Sequence, residues 1–364
     1  MSKVRVLVVD DSAIARALIR ALIDASDSLT VCGEAENGRQ ALAQALALRP
    51  QIITMDLQMP EMNGLDAIEA IMAVRPTPIL VLSDVTDARS AMAAVARGAL
   101  EATPKPTMHD GAAFSARLKM LAGVPVIRHI RGKRAPLEPD GAVLPAPHPL
   151  RACSDERYKP GGTANSEIAG RVFAIAASTG GPQALAQLLP RLPADFPAPV
   201  LVVQHISDGF AAGMATWLND LCPLPVALAR EDEPLSAGRI YLADSTSHLT
   251  LTPDQRLHLQ PRAEQDIYRP SCDVTLNAVA EIYGARSVGV ILTGMGRDGA
   301  RGMAAIQRAG GVTLGQDEAS SVVYGMNREA INAGSVQLVL PLSALADEML
   351  RLAGDPAHLG RKAP

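Results

Sequence analysis

The chain has 364 residues, 48% of them hydrophobic and 20% charged, with a formal net charge of −4 at pH 7. At roughly 100–200 residues per domain, this is room for two or three soluble domains with sizeable cores. No stretch is strongly basic with interleaved aromatic residues, which speaks against nucleic acid as a partner, and none approaches the roughly 18 apolar residues of a membrane span.

The N-terminus MSKVRVLVVDDSA turns acidic after a short apolar run, unlike a signal peptide. Residues 1–122 then alternate β-rich runs with Ala- and Leu-rich stretches of helical length. The runs are Val4–Val9, Leu29–Gly33, Ile52–Met55 and Pro78–Leu82, with a weaker one at Ala99–Thr103. Ser12–Ala25 and Arg39–Ala47 are the clearest helices. Such alternation predicts a parallel sheet with helices on both faces. Residues 123–169 differ: seven prolines and Gly161–Gly162 leave neither helical nor strand periodicity, the composition of an interdomain linker.

From Gly170 the alternation returns. Strands are expected at Val172–Ala177, Val200–Gln204, Arg239–Ala243, Ser287–Leu292, Gly311–Leu314 and Gln337–Leu340. The polar stretch His248–Asp273 between them reads as a hairpin insertion. The expected layout is a first domain at 1–122, a linker at 123–169, a second domain at 170–355 and a tail at 356–364. Cys32, Cys153, Cys222 and Cys272 form no C-x-x-C pair, so reduced thiols in a soluble cytoplasmic protein are expected.

Ligands of a doubly wound sheet bind where strand carboxyl ends meet at a reversal of strand order. In the first domain Asp10 and Asp11 end one expected strand, Asp56 another, Ser83 follows a third and Lys105 a fourth. Three converging carboxylates call for a hard divalent cation such as Mg²⁺, and a carboxylate can carry a phosphoryl group. The motifs V-V-D-D-S, M-D-L-Q-M-P-E-M-N-G-L-D and P-K-P resemble those of the receiver domain of two-component response regulators, across the whole of 1–122. The resemblance implies Asp56 as phospho-acceptor. It implies Asp10, Asp11, Asp56 and the backbone carbonyl of Gln58 as Mg²⁺ ligands, with Ser83 and Lys105 as phosphate and switch contacts. Receivers usually carry an aromatic switch residue three positions before the lysine; here that residue is Ala102.

In the second domain Ser178 follows Val172–Ala177 in the turn S-T-G-G-P, with Pro182 suited to a first helical turn. His205 follows Val200–Gln204, and Asp298 lies in T-G-M-G-R-D-G after Ser287–Leu292. At one sheet edge these make a nucleophile, a base and an orienting carboxylate, with helix N-terminal N–H groups suited to a developing oxyanion. On spacing alone the same turn equally suits a nucleotide phosphate.

The ordered blocks A-I-A-A-S-T-G-G-P-Q-A-L, V-V-Q-H-I, Y-R-P-S-C-D-V, V-I-L-T-G-M-G-R-D-G-A and Q-D-E-A-S-S-V-V-Y-G-M are similar to the chemotaxis protein-glutamate methylesterase family. The resemblance runs from about Val172 to Leu340. It implies Ser178 as nucleophile, His205 as general base, Asp298 as its orienting residue and the Met295 backbone N–H as oxyanion donor. Tyr268-Arg269-Pro270-Ser271 would border the substrate groove. Ala176 and Asn327 depart from the usual Gly and Pro. The implied fold is two doubly wound α/β domains, a flavodoxin-like receiver and a Rossmann-like esterase domain. The implied activity is hydrolysis of glutamate methyl esters, with glutamine deamidation, on chemoreceptors. A histidine kinase would supply the phosphoryl group, and Mg²⁺ in the receiver would be the sole cofactor. An unphosphorylated receiver would pack over the Ser178 edge.

Overall fold

The computed structural model describes residues 3–84, 88–124, 170–263 and 265–354. In the first unit the strands are β1 (Val4–Val9), β2 (Leu29–Ala35), β3 (Ile52–Met55), β4 (Ile79–Leu82) and β5 (Glu101–Thr103). Between and after them run α1 (Ala13–Asp24), α2 (Gly38–Leu48), α3 (Gly64–Val74), α4 (Ala88–Ala96) and α5 (Gly111–Ala122). The strands pair in parallel in the order β2-β1-β3-β4-β5. Three of the helices start on a side-chain cap expected at such places: Ser12, Asn37 and Asn63 each accept a backbone N–H of the first turn.

The second unit begins with β6 (Val172–Ala177), α6 (Gly181–Leu188), β7 (Val200–Gln204), α7 (Ala211–Leu221), β8 (Val226–Leu228) and β9 (Ile240–Leu242). A hairpin of β10 (Ser247–Leu251) and β11 (Leu257–Pro261) follows, then α8 (Cys272–Tyr283), β12 (Ser287–Ile291), α9 (Ala300–Arg308) and β13 (Val312–Gln316). The described chain closes with α10 (Met326–Asn332), β14 (Leu338–Leu340) and α11 (Leu342–Gly354). Its seven-stranded sheet, β14-β13-β12-β6-β7-β9-β8, is also parallel throughout.

The expected fold class is therefore the observed one, and the irregular stretch contains the hairpin. Two differences have local causes. β2 runs on to Ala35 because Val8 and Val9 still pair with Glu34 and Ala35. β8 had no sequence signal because Pro223 and Pro225 run directly into it; at a sheet edge proline removes no needed hydrogen bond. Of the expected linker only Gly123 and Val124 are among the described residues, and the expected tail lies outside them.

Chain order sets where the sites fall. The first sheet reverses direction of growth between β1 and β3, and the second does so around β6, which pairs with β7 on one side and β12 on the other. The two units also share a packed face. One apolar cluster continues from Ile53 and Met55 through Ala91, Val95 and Ala102 to Leu185 and Met214. Across it Gln183 Nε2 donates to the carbonyls of Val95 and Ala99, both at 2.9 Å, and Arg89 pairs with Asp220 at 2.9 Å.

Candidate functional site

At the β1–β3 reversal, carboxylate oxygens of Asp10, Asp11 and Asp56 lie within 4.8 Å of one another. Asp10 and Asp56 are buried and Asp11 is exposed. Lys105 Nζ lies 2.8 Å from Asp10 and 3.2 Å from Asp56. Burial pushes the Asp56 carboxyl above the ordinary range, the neighbouring Asp10 charge adds to the rise, and Lys105 opposes it. Burial would lower the Lys105 ammonium, but its hydrogen bond to Asp10 and the charges of Asp56 and Asp10 hold it above its usual value. Three converging acids fit a hard divalent cation such as Mg²⁺, which would offset the Asp10 repulsion that adds to the rise at Asp56. Gln58 stands two residues beyond Asp56 on the same loop. Ser83 is buried after β4, its N–H donating to the Thr103 carbonyl of β5 at 3.1 Å.

Arg16 is a part of this pocket that sequence reasoning missed. Its guanidinium is largely buried and donates to the carbonyls of Asp10 (2.8 Å) and Asp11 (3.1 Å), while pairing with Glu36. It fixes the corner that carries the two acids. An arginine on the buried face of α1 was its only signal.

In the second unit register brings the residues together. Ala177 pairs with Gln204, so Ser178 and His205 leave neighbouring strands at the same level. Ser178 Oγ lies 3.1 Å from His205 Nδ1, and His205 Nε2 lies 2.8 Å from Asp298 Oδ2. With Nε2–H donating to Asp298, Nδ1 is free to accept from the Ser178 hydroxyl. The ring is thus used in the opposite sense to the chymotrypsin arrangement, where Nε2 faces the serine.

Asp298 is 2% exposed. Besides His205 it accepts from the Ser271 hydroxyl (3.0 Å) and from the N–H groups of Cys272 (2.6 Å) and Asp273 (3.0 Å), at the start of α8. Burial would raise its carboxyl, but the hydrogen bond and charge of His205 and these two N–H groups outweigh burial and hold it below the ordinary range. It remains an anion behind the imidazole at neutral pH. Ser271 therefore supports the carboxylate instead of bordering a groove. Tyr268 stacks on the His205 ring, centroids 5.1 Å apart at 15°, and with Arg269 lines a cavity of about 300 Å³ that opens onto Ser178.

Cys272 Sγ also lies 3.5 Å from His205 Nε2. Full burial, then the Asp298 charge, push this thiol well above its usual pKa. It stays protonated and is a poor nucleophile.

The turn after β6 differs from expectation in one respect. The Ser178 N–H donates to Thr293 (3.1 Å) and the Gly181 N–H to the Ser178 carbonyl (2.7 Å), so neither faces an oxyanion. Gln204 underlies this turn, its Nε2 donating to the carbonyls of Ser178 and His205, both at 2.8 Å. A Cβ at Gly181 would meet Gln204 Oε1 at 1.9 Å, which is why glycine stands there. Beside the nucleophile, a Cβ on Gly294 would meet Ser178 Cβ at 2.8 Å. The Gly294 backbone thus passes directly against Ser178. Ala176 is fully buried within β6, and Asn327, also buried, donates to the Gln316 carbonyl (3.0 Å) and Ser321 (2.8 Å), tying down that loop.

The first unit reaches this site through β5. Alternation along the strand puts Ala102 in the shared core and Glu101 and Thr103 on its other face. Glu101 accepts from the Thr179 hydroxyl at 2.5 Å and from Arg117 at 2.7 Å. The hydroxyls of Thr103 and Ser207 lie 3.3 Å apart. Thr179 follows Ser178 and Ser207 is two residues past His205, so five residues of chain link the Lys105 pocket to both. Glu101 and Arg117 form one wall of the Ser178 cavity. None of these contacts had a local signature.

Residues 6–113 match the response regulator receiver domain and residues 173–349 the CheB methylesterase family. The class of protein is a response regulator whose output domain is a hydrolase. Over 355 residues the chain is 48% identical to protein-glutamate methylesterase/protein-glutamine glutaminase 3 of Paramagnetospirillum magneticum, covering 97% of each. It is 44% identical over 347 residues to protein-glutamate methylesterase/protein-glutamine glutaminase 2 of Anaeromyxobacter dehalogenans, covering 94% of this chain and 95% of the other. The crystal structure of the Thermotoga maritima CheB methylesterase catalytic domain is 35% identical, covers 50% of this chain and 99% of its own, and has a TM-score of 0.49. This chain belongs to the protein-glutamate methylesterase/protein-glutamine glutaminase family. Among the described residues no helix is long and apolar enough to cross a membrane.

Proposed function

We propose that the chain hydrolyses γ-glutamyl methyl esters on the cytoplasmic helices of chemoreceptors, and deamidates glutamine at such positions, during chemotactic adaptation. The observation that carries the reading is the hydrogen-bonded run from Ser178 through His205 to Asp298. Ser178 Oγ attacks the ester carbonyl while His205 Nδ1 takes its proton, and Asp298 stabilises the imidazolium. The Met295 N–H faces the developing oxyanion. His205 returns the proton to the departing methoxide, releasing methanol. Water, deprotonated by His205, then cleaves the acyl-enzyme to glutamate and free Ser178. An amide presents the same carbonyl and releases ammonia in place of methanol.

Asp56 accepts a phosphoryl group from a cytoplasmic histidine kinase. Asp10, Asp11, Asp56 and the Gln58 carbonyl would hold Mg²⁺, which when bound would supply positive charge to the pocket. Lys105 and Ser83 bind the phosphoryl oxygens. Before phosphorylation, Glu101 and Arg117 wall one side of the cavity of about 300 Å³ over Ser178, room for a side chain but not for a receptor helix. Movement of Lys105 and Ser83 toward a phosphoryl group pulls on β5 and loosens Glu101 from Thr179, favouring an open arrangement.

The test is methanol release from methylated receptor membranes, with and without Mg²⁺ and a small-molecule phosphoryl donor. Release is expected to rise with the donor in the wild type, not to respond in Asp56→Asn, and to fall by about 10⁴-fold or more in Ser178→Ala. Release that survives in Ser178→Ala would overturn the assignment of the nucleophile.

A further inference from the structure

Helices α8 and α9 start side by side, and each N-terminus is capped by an aspartate from the other's chain segment. Asp298, two residues before α9, accepts the N–H groups of Cys272 and Asp273 at the start of α8. Asp273 returns the arrangement. Its Oδ1 accepts the N–H of Gly299 (2.9 Å) and of Gly302 (2.8 Å), and its Oδ2 accepts from Arg301 Nε (2.9 Å). Gly299 is the N-cap of α9 and has no side chain to cap with, so a neighbouring helix supplies the acceptor. The Asp273 side chain is 6% exposed.

Burying a second carboxylate next to Asp298 costs free energy through desolvation and like-charge repulsion. A cap alone needs no such charge, since serine, as at Ser271 on α8, serves. Asp273 holds two parts of the Asp298 segment: its backbone N–H donates to Asp298 Oδ1, and its carboxylate accepts from the N–H groups of Gly299, the next residue along, and Gly302. Asp298 is thereby held both at its carboxylate and at the peptide that follows it, which fixes the carboxylate against His205 Nε2.

We infer that Asp273 is a positioning residue for the esterase reaction, acting through Asp298. The inference rests on the Ser178–His205–Asp298 reading. It touches neither the substrate nor the reacting atoms, so its removal should lower kcat and leave KM nearly unchanged. Misplacement of a catalytic group by about 1 Å can cost on the order of 10²-fold.

The experiment compares full-length Asp273→Asn and Asp273→Ala in methanol release against receptor concentration, with melting curves to establish the folded fraction. The downfield imidazole Nε2–H proton of His205 is followed by NMR as a second readout. Asparagine keeps one carbonyl oxygen for Gly299 and Gly302; alanine keeps none. The expected result is a graded loss of kcat, about tenfold in Asp273→Asn and approaching 10²-fold in Asp273→Ala. KM should stay within about twofold, and the Nε2–H resonance should move upfield in the same order. Wild-type kcat in both variants, or equal losses in both, would overturn the inference, the second because charge alone would then account for the effect. If Asp273→Ala does not fold, Asp273→Asn decides: an unchanged kcat and an unmoved resonance overturn the role. Ser178→Ala run in parallel separates the two levels, because activity there removes the underlying reading whatever Asp273 does.

Discussion

At the ends of β1 and β3 three carboxylates converge, two of them on Lys105, and burial and repulsion lift Asp56 above the ordinary carboxyl range. At the ends of β6, β7 and β12 the Asp298 carboxylate is held by His205, Ser271, Cys272 and Asp273, and its carboxyl is depressed. Both places lie at a reversal of strand order in a parallel sheet, yet their electrostatics are opposed. The first carries surplus negative charge, and on the proposed function it would change state when a cation or phosphoryl group alters that balance. The second has its charge satisfied in advance and on the same reading would have little to reorganise during reaction. A switch needs two states of similar energy; a catalytic site needs one. The segment Glu101–Lys105 connects them.

The strongest way to break this comparison is Asp298→Asn. The new amide can turn its NH₂ toward His205 Nε2, which must then accept. The proton would then sit on Nδ1, facing Ser178, and the ring could not take the serine proton. Loss of about 10⁴ in kcat is expected from such a wrong tautomer, measured as methanol release. The same variant sharpens the electrostatic half. A carboxyl with a depressed folded pKa contributes stability that is present above its unfolded value of about 3.9 and is lost as pH falls through the folded value. Melting curves between about pH 2 and pH 5 should therefore show a shallower acid decline in Asp298→Asn than in the wild type.

Glu101→Ala tests the connection at smaller amplitude. Removing the acceptor for Thr179 and Arg117 should raise the rate without phosphoryl donor by about 3- to 10-fold, the range of one ordinary net hydrogen bond and less than a charged one. The gain is limited because the Gln183 and Thr103 contacts remain. An unchanged or lower rate would show that Glu101 does not restrain the site. Met295→Ala should have the smallest effect, less than about threefold in kcat, because only its backbone N–H is invoked; losing an oxyanion donor costs about 10²–10³-fold.

The chain by itself determined both sheets, the edge strand β8 apart, and the residues at their strand ends. In a repeating strand–helix pattern, whatever follows a β-rich run stands at the carboxyl edge, so the pattern alone places Asp10, Asp56, Ser178 and His205 there. Asp298, seven residues past β12, needed the family motif as well. Tertiary structure alone decided the partners. Arg16, Glu101, Gln204 and Asp273 lie inside ordinary helices and strands, and each matters through an atom contributed from a distant part of the chain. Local sequence carries no trace of such pairings, because a hydrogen bond across packed elements depends on register and helix docking. The same holds for the imidazole. That a histidine meets a serine and an aspartate follows from strand ends, but that Nδ1 takes the serine and Nε2 the aspartate follows only from how α8 and α9 seat the carboxylate.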